Sequence, residues 1–203
     1  MDRPIHNQKP FNLPDAGKDP LILFARWFAE AMQADPKNAT VVAFSTVSGE
    51  GRPSLRMVLL KEYSANGFLF YTNYESRKAA ELAANPFAAM TFWWPSQERQ
   101  VRIEGRVQKI SVEKSDTYFA DRPRESQLSA WASPQSSVIA EPVTLDKLHE
   151  RFGEGLIPRP ANWGGFILTP GSFEFWQGRA SRLHDRIRFT RIDSAWQTDR
   201  LAP

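Results

Sequence analysis

Residues 40–72 read TVVAFSTVSGEGRPSLRMVLLKEYSANGFLFYT, and this stretch decides the fold. Three runs rich in β-branched, aliphatic and aromatic residues, 40–47, 52–61 and 68–72, are separated only by Ser48-Gly49-Glu50-Gly51 and by residues 62–67, which end in Ser64-Ala65-Asn66-Gly67. Asn-Gly favours tight hairpins because both positions tolerate positive φ. Connections this short join antiparallel neighbours, since a parallel pair needs a crossover of a dozen residues or more. The same pattern continues outward. Residues 87–94 and 99–110 form a second expected pair around Pro95-Ser96-Gln97, with Val101, Ile103 and Val107 alternating against Arg102, Glu104 and Arg106. The tail returns to strand character over 164–169, 172–177 and 182–190, and again near Trp196.

Helical periodicity is confined to the spaces between these runs. Residues 21–32, LILFARWFAEAM, follow Asp19-Pro20, a capping residue and a first-turn proline. A short helix over 76–84 is stopped by Asn85-Pro86, and 111–153 is helical in character, divided by Pro123, Pro134 and Pro142. Its last piece is expected to be capped by Thr144 and to end at Gly153. Strands do not alternate regularly with helices and no repeat is present. The expected class is mainly β with helices (α+β): an antiparallel β-barrel with peripheral helices. Prolines at 4, 10 and 14 mark 1–19 as an N-terminal arm ahead of a single domain, 20–203.

Composition narrows the chemistry. The chain has 203 residues and no cysteine, which excludes disulfides, thiolate zinc sites, iron–sulfur clusters and a cysteine nucleophile. With three histidines (His6, His149, His184) an imidazole-built metal site is nearly excluded, and no metal is expected. No apolar run approaches a membrane span and the N-terminus lacks a signal-peptide core, so the expectation is a soluble cytoplasmic protein. Net charge is +3, from 26 basic against 23 acidic residues, too small an excess to indicate nucleic acid by itself. Neither a P-loop, a dinucleotide-binding glycine motif nor a G-x-S-x-G elbow occurs.

What remains is the placement of the cations. Arg56 and Lys61 bracket an apolar run, and Ser76-Arg77-Lys78 puts two cations and a hydroxyl at a helix start, where free N–H groups favour anions. If 182–189 is a strand, Arg182, His184, Arg186 and Arg188 share one face while Leu183, Ile187 and Phe189 face the core. Taken singly, each of these features is better explained as solvated surface charge or as an edge strand protected by charge.

Read together, the motifs resemble one family. RMVLLK (56–61), FYTNYESRKA (70–79), ERQVRIEG (98–105), YFADRPRESQLSAWAS (118–133), NWGGF (162–166), FEFWQGRASRLHDR (173–186) and RLAP (200–203) are similar, in order and spacing, to the bacterial pyridoxine/pyridoxamine 5′-phosphate oxidases. The resemblance implies an FMN-binding split β-barrel of Greek-key type, working as a homodimer with flavin at the subunit interface. It implies cofactor contacts from Arg56, Met57, Val58, Leu59, Leu60, Lys61, Tyr71, Thr72, Arg77, Lys78, Gln100, Gln135, Ser136, Trp176 and Arg186. Substrate phosphate would fall to Lys61, Tyr118, Arg122 and Ser126, and Arg182 and His184 would hold the pyridine ring as catalytic residues. The implied reaction converts pyridoxamine or pyridoxine 5′-phosphate to pyridoxal 5′-phosphate, with dioxygen as acceptor and hydrogen peroxide as product. The family's N-terminal Arg-Arg-Glu-Tyr type motif is replaced here by Arg3-Pro4-Ile5-His6, and residues 1–20 stand outside the expected site. Two rivals are a split-barrel flavin oxidase of another ring system, of the phenazine-pathway type, and a non-catalytic nucleic-acid-binding barrel. The phosphate set disfavours the first, and flavin colour would separate the second.

Overall fold

The computed structural model describes residues 9–203. The 3–6 stretch therefore lies outside the described residues. The remainder of the expected arm is packed: helix α1 (Leu13–Ala16) is short, Phe11 and Ala16 are buried, and the Phe11 ring lies 5.0 Å from Trp27. Its backbone is also tied down, with Phe11 N–H donating to Asp185 and Arg200 donating to the Phe11 carbonyl.

Helix α2 (Pro20–Ala34) begins where Asp19 accepts a hydrogen bond from the Leu21 N–H, and it buries Leu23, Phe24, Trp27 and Ala31 on one face. Strands β1 (Val41–Val47) and β2 (Pro53–Leu59) form the first hairpin. Strand β3 (Glu62–Ser64) and β4 (Gly67–Asn73) form the second, around the Asn66-Gly67 turn. This corrects the expected hairpin of 52–61 with 68–72: β2 ends at Leu59 and pairs with β1, and the separate β3, not β2, pairs with β4. Helix α3 (Arg77–Ala84) leads to the pair β5 (Phe87–Trp94) and β6 (Arg99–Lys109). Three helices follow, α4 (Val112–Ala120), α5 (Arg124–Ala132) and α6 (Asp146–Phe152). The chain closes with β7 (Trp163–Gln177), β8 (Asp185–Ile192) and β9 (Ala195–Leu201).

All strand pairs are antiparallel, in the order β2-β1-β5-β6-β7-β4-β3, with β8 joining β7 and β9. The two early hairpins thus sit at opposite ends of the sheet path, and the β5–β6–β7 meander joins them. Val42 and Phe44 on β1, Met90 and Phe92 on β5, Val101 and Ile103 on β6 and Phe173 and Phe175 on β7 all point inward. Phe24 of α2 plugs this half-barrel, meeting Phe68, Phe92 and Tyr63 at ring distances of 4.9–5.2 Å. A smaller cluster under α4–α6 collects Phe119, Leu128, Ile157 and Trp163.

Three further sequence expectations need correction. Residues 164–169 and 172–177 are one strand rather than two. Proline is normally excluded from a central strand, but on one edge β7 pairs with β4 up to Leu168 and with β8 from Ser172. Pro170 falls at that changeover, opposite Gly105 of β6, and a bulge at Glu104/Gly105 takes up the extra residue. Residues 133–145 are not helical; Pro134 and Pro142 interrupt them, and the last helix starts after Leu145 rather than Thr144.

The third correction concerns 182–184, which is not strand. Ser181 and Arg182 take left-handed conformations (φ 57° and 62°), which break the ladder, and β8 starts at Asp185. Ile187 and Phe189 do face the core opposite Arg186 and Arg188, but Leu183 is 68% exposed and does not.

Candidate active site

An open pocket of about 930 Å³ lies between β2, β4, the start of α3, and the α4–α5 layer. The alternation of β2 turns Ser54, Arg56 and Val58 partly inward, while Leu55, Met57 and Leu59 stand on its exposed edge. Of the sequence-expected residues it gathers Arg56, Met57, Val58, Leu59, Lys61, Tyr71, Thr72, Arg77, Lys78, Tyr118, Arg122, Ser126, Gln135 and Ser136. Leu60 is not among the lining residues: it is 4% exposed and belongs to the core.

The cations fall into two sets. In the first, Lys78 is 7% exposed, and its ammonium donates to Thr72 Oγ1 (3.0 Å), Ser76 Oγ (3.1 Å) and Gln135 Oε1 (2.8 Å), all neutral oxygens. Burial, and Arg56 beside it, bring that ammonium down to about pKa 8. Arg56 donates to the Phe44 carbonyl (3.1 Å) and to Thr46 (2.5 Å), and lies 3.3 Å from Glu81. Arg77 is gripped through Nε by Glu81 at 2.8 Å. Burial by itself would raise the Glu81 carboxyl, but the Ser54 and Thr46 hydroxyls and Arg77 hold it down at about 2.

The second set sits under the helical layer. Tyr71 and Tyr118 stack at 3.8 Å, with Trp163 parallel beyond Tyr71 at 5.4 Å. Burial, and the neighbouring Tyr118, push the Tyr71 phenol up to about 12, so it remains a neutral donor. The Arg122 guanidinium lies 4.4 Å over the Trp163 ring, and its buried Nη1 has no hydrogen-bond partner among the described residues. A buried unpaired guanidinium N–H is costly unless an acceptor arrives, which makes it an anion receptor. Lys61 opens onto the same space.

The remaining sequence-expected residues, Gln100, Trp176, Arg182, His184 and Arg186, lie outside this pocket. They form a second cluster where β6, β7 and β8 meet: Gln100 and Arg186 each pair with Trp176 across the sheet, and His184 packs 4.6 Å from the Trp176 ring. His184 Nδ1 accepts the Arg179 N–H at 3.2 Å, which places a neutral ring's proton on Nε2. Glu174 accepts from both Arg102 and Arg186, the latter at 2.8 Å, and this bond raises the Arg186 pKa further. Trp163 lines the pocket while Trp176 stands near the other end of the same 15-residue strand. The path between them is roughly 40 Å at about 3.3 Å per residue.

Sequence reasoning missed Ser54, Ser133, Trp163 and Glu81. Ser54 was discoverable from its period-two relation to Arg56, and Glu81 from its i,i+4 spacing to Arg77.

Residues 28–149 match the family model described as pyridoxamine 5′-phosphate oxidase, and residues 163–203 match the pyridoxine 5′-phosphate oxidase C-terminal dimerisation region. A pyridoxine/pyridoxamine 5′-phosphate oxidase of Pseudomonas putida is 52% identical over 191 residues, covering 91% of this chain and 89% of the relative. The chain belongs to the pyridoxine/pyridoxamine 5′-phosphate oxidase family.

The Neisseria meningitidis serogroup C relative is 47% identical over 206 residues, 99% of this chain and 97% of its own. Among solved structures, PhzG from Burkholderia lata, in complex with tetrahydrophenazine-1-carboxylic acid, superposes with a TM-score of 0.87 at 28% identity, covering 94% and 95% of the two chains. A pyridoxamine 5′-phosphate oxidase-related, FMN-binding protein of Nostoc punctiforme shares the fold, with a TM-score of 0.72 at 19% identity over 89% of this chain and 97% of the other. The protein is thus an oxidase of this family with the FMN-binding split-barrel fold and FMN as cofactor. The second cluster falls within the matched dimerisation region apart from Gln100, and that match supports a homodimer. Among the described residues no helix is long and apolar enough to cross a membrane.

Proposed function

We propose that this protein oxidises pyridoxamine and pyridoxine 5′-phosphate to pyridoxal 5′-phosphate in the cytoplasm, with dioxygen as acceptor, in a pocket completed by the second copy of the homodimer. The observation that carries the reading is one pocket holding two separate cation sets, one around Lys78 and the other around the unpartnered Arg122 Nη1. Two phosphorylated ligands need two such sets.

The pocket residues fit FMN. Arg56, Arg77 and Lys78, with Gln135 and Ser136, take its phosphate and chain; the buried Lys78 ammonium, partnered only by neutral oxygens, suits an incoming dianion. When bound, FMN supplies the redox chemistry, accepting hydride from the substrate's 4′ carbon and passing the electrons to dioxygen to give hydrogen peroxide. Lys61, Arg122, Tyr118 and Ser126 hold the substrate phosphate. Since Trp176, Arg182, His184 and Arg186 are separated from this pocket by the length of β7, we assign their contribution to the other subunit's pocket. There the strained Ser181–Arg182 turn presents Arg182, and His184 offers Nε2–H, to orient the pyridine ring. The PhzG likeness favours a phenazine-type substrate on fold grounds. The Arg122 receptor favours a phosphorylated one, in agreement with the higher identity to the vitamin-phosphate oxidases.

Anaerobic mixing with pyridoxamine 5′-phosphate is expected to bleach the flavin absorbance, and Arg182→Ala to slow that bleaching at unchanged flavin content. No bleaching by the wild-type protein would overturn the assignment. Lys78 makes a separate expectation for pH. Its ammonium in the cofactor-free site titrates at about 8, and the phosphate, whose second pKa is about 6, stays dianionic above pH 7. Bound phosphate raises the lysine pKa, so FMN affinity is complete below about pH 8 and falls as pH rises through it. Fluorescence titrations of FMN at pH 7 and pH 9 measure the loss, and Lys78→Met should flatten it.

A further inference from the structure

Glu81 is the one carboxylate whose hydrogen bonds reach both arginines of the first cation set, among the described residues. It is 7% exposed, in the middle of α3, and both oxygens are used. Oε1 accepts Arg77 Nε at 2.8 Å. Oε2 accepts the Thr46 hydroxyl, the Ser54 hydroxyl at 2.5 Å and Arg56 Nη2 at 3.3 Å. Thr46 comes from β1, Ser54 and Arg56 from β2 and Arg77 from α3, so a single side chain ties three elements together beneath the pocket.

We infer that Glu81 is a positioning residue for cofactor binding: it fixes the Arg56 and Arg77 guanidinium groups toward the space the FMN phosphate occupies. This rests on the reading that the first cation set takes that phosphate. Arg77 shows the mechanism most directly. Its side chain is 63% exposed and lines the pocket, and Glu81 holds it through Nε. Without the carboxylate, a long exposed side chain would have to be ordered at the moment of binding. The opposing effect is repulsion between carboxylate and phosphate. It is blunted because the Glu81 charge is already shared among two guanidinium groups and two hydroxyl donors. A glutamine at 81 would remove the charge and turn an amide N–H₂ against groups that are themselves donors.

The test is titration of FMN and of riboflavin, which lacks the phosphate, into the cofactor-stripped full-length protein. Wild type, Glu81→Gln, Glu81→Asp and Arg56→Ala are compared. Glu81→Gln is expected to raise the FMN Kd at least tenfold and leave the riboflavin Kd within about twofold, with Glu81→Asp intermediate for FMN only. Equal losses for FMN and riboflavin would reduce Glu81 to a structural role and overturn the inference. So would Glu81→Gln binding FMN as tightly as wild type, or more tightly, while Arg56→Ala binds it weakly. If Arg56→Ala also leaves FMN affinity unchanged, the phosphate assignment itself fails. Should Glu81→Gln not fold, Glu81→Asp is judged by the same FMN-to-riboflavin comparison.

Discussion

Arg122→Ala is expected to raise the KM for pyridoxamine 5′-phosphate about tenfold to a hundredfold, while the purified protein keeps its yellow flavin. A hydrogen bond to a charged group is worth about 1.5–3 kcal/mol, and every 1.4 kcal/mol is tenfold. Arg122 is placed to deliver the upper part of that range. Its guanidinium is braced 4.4 Å over Trp163 and 5.7 Å from Phe119, so little side-chain freedom is left to lose on binding. Burial lowers its pKa, because the protein around it solvates the charge less well than water does. A contact to the non-reacting phosphate is made alike in ground and transition states, so KM should move more than kcat. Steady-state kinetics with flavin content read from absorbance decides the matter. An unchanged KM, or loss of flavin in step with activity, would remove Arg122 from the substrate set.

The second large effect concerns stability. Gly67→Ala is expected to destabilise the fold by about 3 kcal/mol or more, a drop of roughly 6–12 °C in Tm for a chain of this size. Gly67 sits at φ +133°, where a side chain is disfavoured, and a Cβ there would overlap the Leu168 carbonyl oxygen and lie 2.8 Å from its carbon. That carbonyl belongs to β7, which pairs with β4 from Phe68 onward, so neither backbone can withdraw without breaking the ladder. Gly51→Ala supplies the control, because Gly51 has φ +80° with nothing within 4 Å of a Cβ. It carries backbone strain alone, about 1–2 kcal/mol. Equal melting losses in the two variants would show that the close approach to β7 contributes nothing.

The first hairpin, the Asn66-Gly67 turn, the β5–β6 pair and the helix after Asp19-Pro20 were legible because each is encoded locally, by period-two or period-3.6 burial and by turn residues; the division of 52–64 into β2 and a separate β3 was not. The cation sets were legible as residues but not as an arrangement. Arg77 and Lys78 are neighbours in sequence, whereas Gln135, which accepts from Lys78 at 2.8 Å, comes from the irregular segment after α5. The 182–189 reading failed at its start for an equally local reason. Alternation over Arg186–Phe189 was extrapolated back to Arg182, but two successive left-handed residues give a turn, and Leu183 ends up exposed.

By itself, then, the sequence determined the antiparallel class, most strand and helix positions, and which side chains carry positive charge. These follow from burial periodicity, turn chemistry and residue identity, all of which act over a few residues. Tertiary structure alone decided that β4 pairs with β7 rather than with β1, that Pro170 is tolerated in a central strand, and that Glu81 sits beneath Arg56 and Arg77. It also decided that Trp163 and Trp176 are held apart by the strand they share. The physical reason is common to all four. Each depends on which segments distant in sequence share one core and one hydrogen-bonded ladder, and no local pattern carries that pairing.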